Sequence, residues 1–424
     1  MRKLLLAGVG MLALGVQAES GGPLADFDEF CRSVAEGYAY FDVKTTQWDK
    51  VCSHYRARLT PDADRRTLMR ALEGALAELY DDHVQLGSSD AESPRPVPTG
   101  ASLWAEWHDG RVMVREVRPG SAAEQAGLRA GMEVLAIDGI AVAEAVARHQ
   151  PRFLRAPDPE AQRWALQTAL AGRQNKQPMR LTVKDGETSR TLEYLPGFAK
   201  ATEPLTATQL EKRFGYIRLH NSLGDNERTV KAFDQALEQL AGSEGLILDL
   251  RDTPSGGNSI VARGIMGRLV AGESPYQIHE QVWDERTSGI RRRWVEYVTP
   301  RGQRFAAPVV VLVGRWTGSM GEGLAIGLHG ARGAAVVGTP MARLRGAIFN
   351  FTLEHSKLTV RIPTEKLFHI DGTPRESFIP CPAQAVAPDP ALATALAMLQ
   401  APRPAQAGAK AGCAGELQPL KAGS

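Results

Sequence analysis

Two near-continuous apolar runs constrain this chain most. Gly245-Leu246-Ile247-Leu248-Asp249-Leu250-Arg251 is the first, and Pro308 to Val313 is the second. A strand that is apolar on both faces must be covered on both, the mark of a parallel sheet layered by helices. Phe214 to Leu219 and Ala334 to Gly338 read as further strands, with helices predicted over Val230 to Leu240 and Met320 to Leu328. From about residue 205 to 400 the chain therefore reads as an α/β layer domain. Its 424 residues leave room for two or three domains.

The N-terminal part has a different rhythm. Over 24–86, Phe27, Phe30, Cys31, Val34 and Tyr38 recur at helical spacing, as do Leu68, Leu72, Leu76 and Leu79. This predicts a helical cap. The Ser- and Pro-rich stretch from Gly87 to Gly100 reads as a linker, and from Ala101 the period falls to two. Strands are expected at Val112 to Val117, Met179 to Val183 and Arg190 to Tyr194, around a helical insert at 150–175. Between them stand Pro119-Gly120-Ser121-Ala122-Ala123-Glu124-Gln125-Ala126-Gly127-Leu128 and Gly131-Met132-Glu133-Val134-Leu135-Ala136-Ile137-Asp138-Gly139. Residues 98–197 thereby resemble the PDZ domains of bacterial proteases, with Met132 where an Asp is usual. The resemblance implies a module that binds extended polypeptide C-termini by strand addition.

Residues 1–18 read as a signal peptide: Arg2 and Lys3, the apolar run Leu4 to Val16, then Val16-Gln17-Ala18 for cleavage after Ala18. Export to the periplasm or beyond is expected, with no membrane span left after processing. Removing Arg2 and Lys3 from 50 basic residues leaves 48 against 48 acidic ones, so the mature chain carries no net charge. A nucleic-acid partner, which needs a basic surface, is not expected. Cys31, Cys52, Cys381 and Cys413 make an even count, as for disulfides in an exported protein. Sequence order favours Cys31–Cys52 and Cys381–Cys413 among three connectivities, and no spacing suits zinc. Residues 401–424, rich in Ala, Gly and Pro, read as a flexible tail.

Chemistry concentrates after the second apolar run. Val313-Gly314-Arg315-Trp316-Thr317-Gly318-Ser319-Met320-Gly321-Glu322-Gly323 passes from strand through a tight turn into a helix. A serine there is exposed beside helix N-terminal amides that favour an oxyanion. Upstream lies Leu248-Asp249-Leu250-Arg251-Asp252-Thr253-Pro254-Ser255-Gly256-Gly257, and downstream Val336-Val337-Gly338-Thr339-Pro340. Together these resemble the C-terminal-processing (tail-specific) serine peptidases, with D-L-R-x-N-x-G-G, T-x-S-x-(S/G)-E and V-G-x-x-(T/S). The resemblance implies a crotonase/ClpP-like spiral core, Ser319 as nucleophile, and an oxyanion hole from Met320 and Gly256 or Gly257.

Typical members carry a lysine base in the glycine-rich turn after Val-Gly. Here Thr339 to Gly346 holds none, and Arg343 and Arg345 stay protonated. The chain instead resembles a Ser/His branch that includes the tricorn core and the nisin-resistance protein. His83, in Asp81-Asp82-His83, matches that branch's upstream base, and Glu376 its late carboxylate, which orients the histidine or stabilises its charge. Asp82 is an alternative orienter. His369, before Asp371-Gly372, is the rival base and suits a hairpin better. Lys357 and Lys366 are expected on strands facing solvent, and Glu322 to favour the helix N-terminus by its charge.

The expectation is a secreted serine endopeptidase acting on protein or peptide tails, with no cofactor and with an oligomer left open. The rival is a catalytically weak PDZ adaptor on a relic peptidase core. An enoyl-CoA hydratase-like enzyme is disfavoured by export.

Overall fold

The computed structural model describes residues 22–197, 199–384 and 387–401. The expected signal peptide, Cys413 and all but the first residue of the expected tail lie outside them.

Three helices open the chain: α1 (Pro23–Gly37), α2 (Trp48–Arg56) and α3 (Arg65–Ala77). Their apolar faces meet in one core of Phe27, Phe30, Val34, Val51, Leu68 and Leu72. The Asp64 carboxylate caps α3 by accepting the Thr67 N–H at 2.7 Å. The Cys31–Cys52 disulfide ties α1 to α2 across a Cα–Cα distance of 6.0 Å. Past α3 the chain does not leave the body at once. Residues Gln85–Leu86 form β1, which adds to a strand from the far end of the sequence, β16 below.

The period-two region builds an antiparallel sheet, β2 (Leu103–His108), β3 (Arg111–Val117), β4 (Glu133–Ile137), β5 (Ile140–Ala141), β6 (Met179–Asp185) and β7 (Thr188–Tyr194). The order is β2-β3-β4-β6-β7, with β5 on β4. Two short helices, α4 (Ala122–Gln125) and α5 (Val142–Ala147), and the longer α6 (Pro159–Ala171) cover it. The stretch 87–100 is not a free linker. Arg95 N–H donates to Gly172 O at 2.9 Å and Gln174 N–H to Ser93 O at 3.0 Å, so it is laced to the end of α6.

The remainder holds β8 (Leu205–Leu210), β9 (Phe214–His220), α7 (Asn226–Gln239), β10 (Gly245–Asp252), α8 (Ser259–Gly267), β11 (Ser274–Gln281), α9 (Val282–Ser288) and β12 (Arg292–Val298). Then come β13 (Val309–Val313), α10 (Met320–Arg332), β14 (Ala335–Gly338), β15 (Ala347–Thr352), β16 (Thr359–Phe368) and α11 (Pro390–Gln400). One sheet runs β14-β13-β10-β9-β8, parallel except at β8. Its two central strands are the apolar runs: β13 is buried throughout and β10 over its first six residues. The second sheet, β1-β16-β11-β12 with β15 on β16, is antiparallel. Helix α10 packs between them, its Leu324, Ala325, Ile326 and Leu328 sharing a core with Leu248, Leu250, Val311 and Val313.

Candidate active site

Ser319 is the N-cap of α10, at the turn leaving β13, with φ 52° and ψ −115°. A positive φ costs a non-glycine residue about 1–3 kcal/mol, so the surroundings must impose it. They do. Gly318 N–H donates to Thr253 O at 3.0 Å, and Thr317 Oγ1 to Leu250 O at 2.9 Å, fastening the turn to the end of β10. The Ser319 N–H donates to Glu322 at 2.8 Å.

His83 reaches this turn from the opposite end of the sequence. Pairing of β1 with Val360 and Arg361 of β16 holds the segment, and Asp81 fixes its bend. Asp81 accepts the His83 N–H at 2.9 Å with one oxygen and the Tyr38 hydroxyl at 2.7 Å with the other. The ring then bridges two partners. Its Nδ1 lies 2.6 Å from the Arg345 carbonyl, and its Nε2 3.1 Å from Ser319 Oγ. A carbonyl only accepts, so Nδ1 carries the proton and Nε2 presents a lone pair to the serine. Burial, with the positive Arg375 second, lowers the His83 pKa to about 4. The imidazole is neutral at ordinary pH, the state a general base requires.

Glu322 serves the helix N-terminus as expected, forming a capping box with Ser319, and it does more besides. It is wholly buried, accepting Ser319 N–H, Arg343 N–H at 2.9 Å and Leu344 N–H at 3.2 Å. Burial raises its pKa to about 7, although Arg375 and the three amides favour the anion. Sequence reading missed this tie because its partners on the 339–346 loop carry no side-chain signal.

Gly256 (φ 62°) packs against the turn: a Cβ there would stand 2.4 Å from Ser319 Cβ and 2.6 Å from Met320 N. The Met320 N–H opens α10 and has no partner within the helix. Gly257 instead abuts Leu223. The expected third member is not bound to His83. Glu376 is half-buried, and Arg345's carbonyl already takes the nitrogen it would orient. Burial raises the Glu376 pKa. Asp82 is paired with Arg163 at 3.1 Å.

His369 sits in its own turn, accepting from Asp371 N–H at 3.2 Å and meeting His329 at 3.0 Å, a hairpin role. Lys366 is on β16, paired with Asp42. Lys357 is exposed, but in a turn with φ 58° rather than on a strand. The D-L-R segment is structural: Arg251 pairs with Asp249 at 2.7 Å and with Asp389 at 2.8 Å. The antiparallel sheet clasps the same turn, Trp316 donating to Ala101 O at 3.0 Å and Arg118 to Asp252 at 2.8 Å.

A strained serine at a strand-to-helix turn, facing a neutral buried imidazole, is a geometry suited to nucleophilic attack on a carbonyl. The comparisons point the same way: the peptidase family S41 model matches residues 213–389, and the tricorn protease C1 domain model matches residues 23–73. It is 25% identical over 307 residues to the chloroplastic C-terminal processing peptidase of Tetradesmus obliquus, covering 71% of this chain and 62% of that one. With the carboxyl-terminal-processing protease of a Synechocystis species it shares 31% identity over 228 residues, 52% of this chain and 46% of the other. The chain thus aligns with less than two thirds of these relatives' length. The fold is similar to that of the photosystem II D1 C-terminal processing protease, with a TM-score of 0.56 at 20% identity, covering 89% of this chain and 97% of that one. Among the described residues, no helix is long and apolar enough to cross a membrane.

Proposed function

We propose that the protein is a secreted or periplasmic serine endopeptidase that cuts polypeptides near their C-termini through an acyl-enzyme on Ser319. The observation that carries this reading is the polarity of the His83 ring: Nδ1–H held by a carbonyl, and Nε2 open to Ser319 Oγ. Nε2 takes the hydroxyl proton as Oγ attacks the scissile carbonyl. The resulting oxyanion is met by Met320 N–H and the Gly256 amide. The proton passes from Nε2 to the leaving amine, and water, activated the same way, releases the acid. Glu376 acts on this site at most through charge, since another group orients His83. No cofactor enters the scheme.

The antiparallel sheet with α6 is read as the PDZ module over 98–197, supported by its strand order and by β2 lying at an edge. Polypeptide tails are its proposed ligands. A spiral core of the crotonase/ClpP kind is supported by the parallel set β14-β13-β10-β9. Fluorophosphonate labelling tests the chemistry. Labelling of wild type and not of Ser319→Ala, with peptide turnover following it, is expected. Unlabelled wild type that still binds peptide ends favours the adaptor instead.

A further inference from the structure

One wholly buried cation has no part in the scheme above. Arg375, 2% exposed, lies in the short turn Arg375–Ser377 beneath the 339–346 loop. A single guanidinium nitrogen donates to Leu344 O at 2.8 Å and to Gly346 O at 2.8 Å. Those carbonyls flank the Arg345 carbonyl that holds His83 Nδ1. From the other side, Glu322 accepts the amides of Arg343 and Leu344. The loop is thus gripped by its N–H groups through an anion and by its C=O groups through a cation.

We propose that Arg375 is a positioning residue: by holding the Leu344 and Gly346 carbonyls it fixes the Arg345 carbonyl, and through it the His83 ring, against Ser319. This rests on the Ser319–His83 reading. A buried arginine is a costly group unless its hydrogen bonds are met, and a hydrophobic side chain fills space without that penalty. Here one guanidinium nitrogen goes to the carbonyls on either side of the Arg345 carbonyl that sets the histidine tautomer, while Nε is buried without a partner. The charges that act on the ring are Arg375 from the late turn and Asp81 on its own segment, while Arg345 meets it through its backbone carbonyl. Arg375 therefore has two separable effects. Its hydrogen bonds set geometry, and its charge disfavours the imidazolium while favouring the Glu322 anion.

Two substitutions divide these effects. Lysine keeps the charge but ends where the guanidinium carbon stands, short of the carbonyls; methionine removes both. Fluorophosphonate labelling rates and peptide turnover are measured across acid and neutral pH on the whole protein, with circular dichroism as the folding check. Arg375→Met is expected to label ~10²-fold more slowly, through kcat rather than KM, with its acid limb displaced upward by roughly one pH unit. Arg375→Lys is expected to be slow with the limb in place. A folded methionine variant that is slower equally at every pH marks a merely structural arginine and overturns the proposal. So does a folded lysine variant at the wild-type rate, which decides the matter if the methionine variant fails to fold. Ser319→Ala and His83→Ala run in parallel. If they react like wild type, the dyad reading fails, whatever Arg375 does.

Discussion

Glu322 accepts the Arg343 N–H at 2.9 Å, and this bond joins the two halves of the site. The same carboxylate holds the Ser319 N–H, while two residues beyond Arg343 the Arg345 carbonyl holds His83. Ser319 and His83 are therefore positioned by one buried anion, although they lie 236 residues apart in sequence.

That arrangement predicts an acid limb in two steps. Above about 7 the Glu322 carboxyl is ionised and holds its three amides. As pH falls through that value it takes a proton and gives up acceptor capacity, so labelling slows. As pH falls through about 4, His83 gains its proton and the reaction stops. Glu322→Gln should abolish the upper step, at a lower rate throughout because an amide N–H then faces backbone donors. A single limb near ~6.5, the ordinary histidine value, contradicts both assignments.

Ser319→Ala should fold, because its backbone ties to Thr253 and Glu322 remain. Turnover should fall by ~10³-fold or more, and His83→Ala should match it within an order of magnitude, since the two act as a unit. Residual turnover in the serine variant equal to wild type, measured on a peptide with a free C-terminus, would falsify the mechanism.

How much of this was legible follows from which groups carry the information. The apolar runs show the burial of β13 throughout and of β10 over its first six residues, and the Gly318-Ser319-Met320 turn shows its geometry in its glycine. The nearness of His83 to Ser319 was legible only by resemblance, because no local pattern separates a base from a loop histidine. The Arg345 carbonyl was invisible, as every residue has one. Glu322 was legible in part: its place at the helix N-terminus shows in the sequence, but its ties to the Arg343 and Leu344 amides come only from tertiary contact with the 339–346 loop. The stretch 87–100 looked like a linker by composition, yet backbone bonds to α6 order it.

Reducing the Cys31–Cys52 bridge should lower the melting temperature by roughly 5–10 °C. Closing a loop of ~20 residues is worth about 3 kcal/mol, and α1 and α2 share the core that Phe30 and Val51 fill. Scanning calorimetry of wild type and the double alanine variant checks it. An unchanged transition would mean that packing alone holds the helices.

The PDZ reading makes its own prediction at the β2 edge. Gln167 on α6 donates to the Ala105 carbonyl at 2.6 Å, a group that an added peptide strand would use. Gln167→Ala removes the competitor, so a peptide C-terminus should bind ~2- to 10-fold more tightly while the free protein loses stability. Weaker peptide binding, by calorimetric titration, would place the ligand elsewhere.

Gly256→Ala tests the oxyanion site with the serine and histidine side chains themselves left in place. At φ 62° an alanine is already strained, and its Cβ would stand 2.4 Å from Ser319 Cβ and 2.6 Å from Met320 N. Both obstacles are backbone-borne, so neither can swing aside, and the Gly256 and Met320 amides must separate. The geometry lost is the one that meets the developing negative charge, so kcat should fall ~10²–10³-fold with KM little changed. Peptide-end binding should persist, since the β2 edge is built without Gly256. A wild-type kcat in a folded Gly256→Ala protein would require the negative charge to be met by other donors.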